Sequence, residues 1–167
     1  MIILGIDPGL ANTGWAVVRT TGSRCEALAY GCISTPACER LPARLAAIHD
    51  ELRAVTERFR PAACAIESVY FGTNAKSAFA TGQARGVALL ATACRDMEIA
   101  EYSPVQVKSV IVGSGTADKQ QITYMVRSLL SLDHDPKPDH AADALAIAVT
   151  HARLAGHRAL QAQAVNA

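Results

Sequence analysis

Residues 1–7, MIILGID, form a nearly continuous apolar run that ends in a carboxylate and is turned at once by Pro8 and Gly9. Such a run reads as a strand buried on both faces, at the centre of a covered sheet. An ionised aspartate deep inside that strand would be costly. Asp7 is therefore expected at the end of the sheet, facing a cleft. Residues 62–67 repeat the device: Cys64, Ala65 and Ile66 are buried-type residues, and Glu67 closes the run.

Around these two runs the elements fall in a definite order. Residues 15–19 and 27–33 are two more strands, separated by the turn-rich 20–23, so the chain opens with an antiparallel meander. Leu41, Leu45, Ile48, Leu52, Val55 and Phe59 then step along one helical stripe that Pro61 ends. After the strand at 62–67 come a helix over 75–95 rich in Ala and Gly, a short strand at 99–102, an amphipathic helix over 119–130 and a last helix from Asp139 to about Leu154. Residues 1–155 form one domain in this reading, and 156–167 a frayed, flexible tail. Strands in a meander followed by strands alternating with helices predict an α/β domain, a mixed five-stranded sheet flanked by helices. That arrangement resembles the ribonuclease H-like fold.

Composition narrows the class further. With 167 residues and 50% hydrophobic content, the chain suits one domain with a sizeable core. Sixteen basic and fifteen acidic residues leave a formal charge of +1, so nucleic-acid binding would need a local patch. Its apolar runs are far shorter than a membrane span, and no basic leader precedes the first strand. A soluble cytoplasmic protein is expected. The five cysteines are odd in number and lack paired spacing, which argues against disulfides or a zinc site and for small buried hydrophobes. His49, His134, His151 and His157 read as surface residues.

A third acid, Asp143, interrupts the small-residue run Ala141-Ala142-Asp143-Ala144-Leu145-Ala146, and His140 lies three residues before it on the same helical face. Converging carboxylates need a cation to relieve their repulsion. Hard oxygen ligands with one imidazole suit Mg²⁺ or Mn²⁺. Two such ions in one site serve phosphoryl transfer, with Asp7 the best placed to be shared. The glycine-rich turn at 5–9 could alternatively cradle a nucleotide phosphate, as in the actin and sugar-kinase fold. That fold needs two lobes, which this length cannot hold, and no Walker motif is present.

The motifs Ile3-Leu4-Gly5-Ile6-Asp7-Pro8-Gly9 with Thr13-Gly14-Trp15, Ala65-Ile66-Glu67, Gly82-Gln83-Ala84-Arg85-Gly86, Gln106-Val107-Lys108 and the Ala141-to-Ala146 run resemble, in order, the RuvC family of bacterial Holliday-junction resolvases. The likeness extends from Met1 to about Ala152. It implies a homodimeric, Mg²⁺-dependent endonuclease that nicks two strands of a four-way DNA junction, with Mn²⁺ able to substitute and the RuvA–RuvB branch-migration motor as a partner. It implies two ions per site, held by Asp7, Glu67, Asp143 and, at the fourth position, His140. Many members carry Asp there. Asp139, adjacent and four residues before Asp143, could also face the metals; His140 is favoured because the alignment through Ala141-Ala142 is ungapped, and Asp139 then reads as the helix N-cap.

Lys108, Lys119 and Arg127 outnumber one acid, Asp118, between residues 104 and 127, which is the local basic patch that a neutral total requires. The resemblance assigns Lys108 and Lys119 to phosphate contacts near the cut. Tyr70 and Phe71 stand in a Gly/Asn loop directly after Glu67, in a chain poor in aromatics, and suggest stacking on unpaired bases. A core role for one of them stays open, and the resemblance favours Tyr70 at the junction centre. Gln83 and Arg85 read as structural or near a dimer contact. The rival readings are a fold relative acting on other nucleic acids and a non-catalytic junction-binding module.

Overall fold

The structure, a computed structural model, describes residues 1–68, 75–93 and 97–165, with side chains described up to residue 156 apart from 75–77. Strands β1 (Ile2–Asp7), β2 (Asn12–Thr21) and β3 (Arg24–Ser34) form the meander. Helix α1 (Leu41–Phe59), strand β4 (Ala63–Glu67), helix α2 (Ala75–Thr92), strand β5 (Glu98–Tyr102) and helices α3 (Pro104–Val112), α4 (Lys119–Leu129) and α5 (Asp139–Val165) follow. The sheet order is β3-β2-β1-β4-β5, antiparallel within the meander and parallel across β1, β4 and β5. This is the mixed five-stranded sheet the sequence predicts, and β1 lies at its centre because both its faces are apolar.

The two faces bury two cores. Leu4, Ile6, Val17, Cys64 and Ile66 pack beneath α1 and α2 with Ile48, Leu52, Ala84 and Ala88. Ile3, Ala16, Val18 and Ala65 pack beneath α5 with Ala144, Leu145 and Ala148, and Val107, Ile111 and Val126 of α3 and α4 close that side. Helix α5 comes unusually near the sheet, because glycines floor its path. A Cβ on Gly5 would collide with the Ala144 carbonyl, and one on Gly14 with the His140 carbonyl. Small residues on the helix meet absent side chains on the strands, and this close approach delivers the start of α5 to the end of β1.

Several expectations change. Helix α3 is absent from the sequence reading, yet its ends are marked. Ser103 accepts from the Gln106 N–H while Gln106 bonds back to the Ser103 N–H, Pro104 occupies the first turn, and Gly113 closes the helix with φ of 86°. Helix α5 continues past Leu154 to Val165. Asp139 is its first helical residue and not its cap, since the Pro138 carbonyl already accepts from the Ala142 N–H. His151 is fully buried, not a surface residue, because Tyr102 of β5 supplies a hydroxyl 3.0 Å from its Nδ1. His134 is exposed and His49 partly so, while the side chain of His157 lies outside those described. Of the cysteines, Cys64 is buried as expected, Cys25 and Cys32 are half-buried and Cys38 is exposed, and all four are free. Cys94 lies outside the described residues.

Candidate active site

Asp7 ends β1, one step beyond the paired Ile6 and Ile66, so Glu67 at the end of β4 is its neighbour on the adjacent parallel strand. The first turn of α5 lies over both. His140 Nδ1 is 2.7 Å from Asp7 Oδ2, and the ligand atoms of Asp7, His140 and Asp143 all fall within 4.8 Å of one another. A carboxylate only accepts, so Nδ1 is the donor and Nε2 is the ring nitrogen left for a cation. The turn after β1 is braced from outside the site. Thr13 Oγ1 donates to the Gly9 carbonyl at 2.7 Å, and Arg44 of α1 donates to the Leu10 carbonyl at 3.2 Å and to Thr35 Oγ1 at 2.9 Å. These bonds brace the turn that follows Asp7, and the contact of Arg44 with Leu10, far apart in sequence, is visible only in three dimensions.

The acids are uncomfortable without a counter-ion. Burial raises the Asp7 pKa, an effect that the His140 hydrogen bond opposes and the Asp143 charge reinforces. Burial, with the charges of Asp7 and Asp143, pushes Glu67 up to about 7. Glu67 stands outside the three converging donors, on the wall of a cleft of about 240 Å³ that Asp143, Lys108 and Lys119 also line, over an apolar floor that includes Val107 and Ile122. Lys119 Nζ lies 3.3 Å from Asp143 Oδ2 and 3.1 Å from Asp139 Oδ2. Partial burial lowers the Lys119 pKa, but the hydrogen bond to Asp139 and the charge of Asp143 outweigh it and leave a net rise. Crowded carboxylates with one imidazole fit a hard divalent cation.

The Glu67 shift has a measurable consequence. Its carboxyl titrates near 7 in the fold and near the usual 4.5 when unfolded. Between those values the folded state binds more protons, so metal-free stability falls as pH rises through the window, and the Glu67 penalty levels off above it. Glu67→Gln carries no charge in either state. In urea melts with chelator, the wild type should lose ~1–2 kcal/mol more than Glu67→Gln between pH 5 and pH 8, a figure reduced for partial solvent screening. Parallel pH profiles would contradict this origin of the shift.

Of the predicted site residues, Asp7, His140 and Asp143 converge, Glu67 stands beside them, and Lys108 and Lys119 face the same cleft. Arg127 leaves the patch: it pairs with Asp135 at 3.1 Å and lies over the Tyr124 ring. Tyr70 and Phe71 lie outside the described residues. Asp139, read as a cap, instead holds Lys119. Its spacing of four residues from Asp143 was the available signal, but nothing in the sequence names a lysine on another helix as the partner.

A sheet ordered β3-β2-β1-β4-β5, with acids ending its first and fourth strands beneath an acid on the last helix, defines the ribonuclease H-like class. The yeast mitochondrial Holliday junction resolvase Ydc2 shares this fold with a TM-score of 0.64 at 15% identity. Within that class the chain belongs to the RuvC family, whose model, crossover junction endodeoxyribonuclease RuvC, matches residues 3–151. RuvC of Alkaliphilus oremlandii is 50% identical over 152 residues, covering 91% of this chain and 93% of the relative. RuvC of Moorella thermoacetica is 48% identical and covers 95% of each. The structure of T. thermophilus RuvC in complex with Holliday junction substrate superposes with a TM-score of 0.90 at 37% identity, covering 94% of this chain and 96% of that one. Among the described residues, no helix is long and apolar enough to cross a membrane.

Proposed function

We propose that this chain is a cytoplasmic structure-selective endodeoxyribonuclease that resolves Holliday junctions by paired, metal-dependent nicking in homologous recombination and DNA repair. The observation that carries the reading is the convergence of Asp7, His140 and Asp143 within 4.8 Å beside a cleft that Lys108 and Lys119 share with Glu67. Asp7, His140 and Asp143 would hold Mg²⁺ with Glu67 beside them, Asp7 being the ligand that two ions would share, and Mn²⁺ would substitute. When bound, the ions activate a water and stabilise the leaving oxygen of an in-line displacement. The protein's own groups do the rest. His140 keeps Asp7 oriented through its Nδ1–H, the braced turn behind Asp7 fixes the strand end, and Lys108 and Lys119 take up phosphate oxygens and the charge that grows on them.

The nuclease unit is residues 1–155, with Tyr70 stacking on a base at the junction centre. A near two-fold junction requires two sites, and a homodimer supplies one per cut strand. Helix α2 suits that contact: Phe79 is 68% exposed, and Gly82 and Gly86, three and seven residues on, have open space beside them. The RuvA–RuvB branch-migration motor presents the junction to this dimer.

A cleavage comparison tests the reading. In Mg²⁺, a synthetic four-way junction should be nicked in two opposed strands, while linear duplex and RNA–DNA hybrid of the same sequence stay intact. Equal cutting of the hybrid would favour a general ribonuclease H-like activity. Binding without nicking would make the acids structural.

A further inference from the structure

Lys119 occupies a position that its role as a phosphate contact does not explain. Its ammonium spans two carboxylates of α5, 3.1 Å from Asp139 Oδ2 and 3.3 Å from Asp143 Oδ2. Asp118 caps α4 immediately before it, accepting from the Gln121 N–H at 2.9 Å, so the lysine springs from a fixed helix start. Asp143 is one of the three donors that converge for a cation, whereas Asp139 is not. An ammonium at this distance competes with a divalent ion for the Asp143 carboxylate, because the two cations repel at close range. Asp139 and Asp143 are one helical turn apart, so a lysine that leaves one is already beside the other.

We propose that Lys119 is a resident cation of the carboxylate cluster, that a metal ion must displace it from Asp143, and that Asp139 is a positioning residue that retains the displaced ammonium beside the site. The proposal rests on the metal-site reading above. In the metal-free protein Lys119 offsets the crowding of the acids, and in the loaded protein Asp139 compensates the charge of a lysine kept next to the metal. A simpler role for Asp139 exists, since an acid in the first turn of a helix favours the helix dipole. That role involves no coupling to Lys119.

The test is a double-mutant cycle on Mn²⁺ binding, measured by calorimetry on full-length protein without DNA. Lys119→Met should bind Mn²⁺ about 3- to 10-fold more tightly, and Asp139→Asn about 3- to 10-fold more weakly. In the Lys119→Met background, Asp139→Asn should shift affinity less than about 2-fold. Asp139→Glu, which keeps the charge with one more methylene of reach, should restore near wild-type affinity. If Asp139→Asn weakens binding equally in both backgrounds, Asp139 acts only as a general negative charge and the proposal is overturned. Unchanged affinity in Lys119→Met overturns it too. If the wild type takes up no Mn²⁺, the metal-site reading itself fails. Both substituted side chains are largely exposed, and Lys119→Gln is a second polar variant if Lys119→Met does not fold.

Discussion

Asp7→Asn is expected to abolish junction nicking while leaving junction binding within a few-fold of wild type. The carboxylate ends the central strand, accepts from His140 at 2.7 Å and sits with Asp143 and His140 in the only cluster of three such donors among the described residues. The amide is nearly the same size, so the fold and the braced turn behind it should survive. It brings one neutral oxygen in place of two charged ones, so it can accept from His140 or face a cation but no longer serves both. Loss of the shared ligand should lower the rate at least ~10³-fold, or ~4 kcal/mol of barrier. Phosphate contacts supply most of the affinity for DNA, and Lys108 and Lys119 remain. Gel-shift and nicking assays on one protein preparation measure both quantities. Nicking near the wild-type rate in Mg²⁺ would remove Asp7 from the chemistry.

Gly14→Ala is expected to have the largest effect on stability, although it adds a single methyl group. Gly14 pairs with Asp7 across β1 and β2, and its missing side chain is the space in which the His140 backbone lies. The new methyl meets a carbonyl and its carbon, not the end of a flexible side chain, so α5 must move away from the sheet. Overpacking ordinarily costs ~1–3 kcal/mol, and a backbone collision belongs at or above the top of that range. For a domain of this size, ~3 kcal/mol lowers Tm by ~6–12 °C. The folded fraction should also cut slowly, because any lift of α5 carries His140 and Asp143 off Asp7. Gly156→Ala, late in α5 with open space beside it, is the control and should melt at or slightly above wild type, since alanine favours helix.

What the sequence revealed follows from the range over which each signal acts. The apolar runs ending in Asp7 and Glu67 and the stripe from Leu41 to Phe59 are local patterns, and β1, β4 and α1 formed where they pointed. Helix α3 escaped because it is nine residues long with two buried side chains, Val107 and Ile111, so no stripe develops. Its cap residues carried the information instead. The continuation of α5 beyond Leu154 escaped because an Ala-rich segment without an apolar stripe reads as a tail, although alanine favours helix whatever it packs against. His151 was misread because its partner, Tyr102, comes from a strand 49 residues earlier. The site divides the same way. Acids set among apolar residues announce Asp7, Glu67 and Asp143, whereas the Lys119–Asp139 pair and the glycine floor beneath α5 exist only between elements distant in sequence.

The sequence positions of the clustered donors also bear on when the enzyme becomes dangerous to its own genome. Asp7 belongs to the first strand, while His140 and Asp143 belong to the last helix. During synthesis the sheet and its first helices emerge before any donor from α5 has been made. A nascent chain that stops before α5 therefore carries Lys108, Lys119 and the strand-end acids Asp7 and Glu67, but not the cluster of three donors. On the proposed site, nucleolytic competence arrives only once α5 has been made and docks on the glycine floor. Truncated products from broken messages, ending before residue 140, should be inert towards the chromosome.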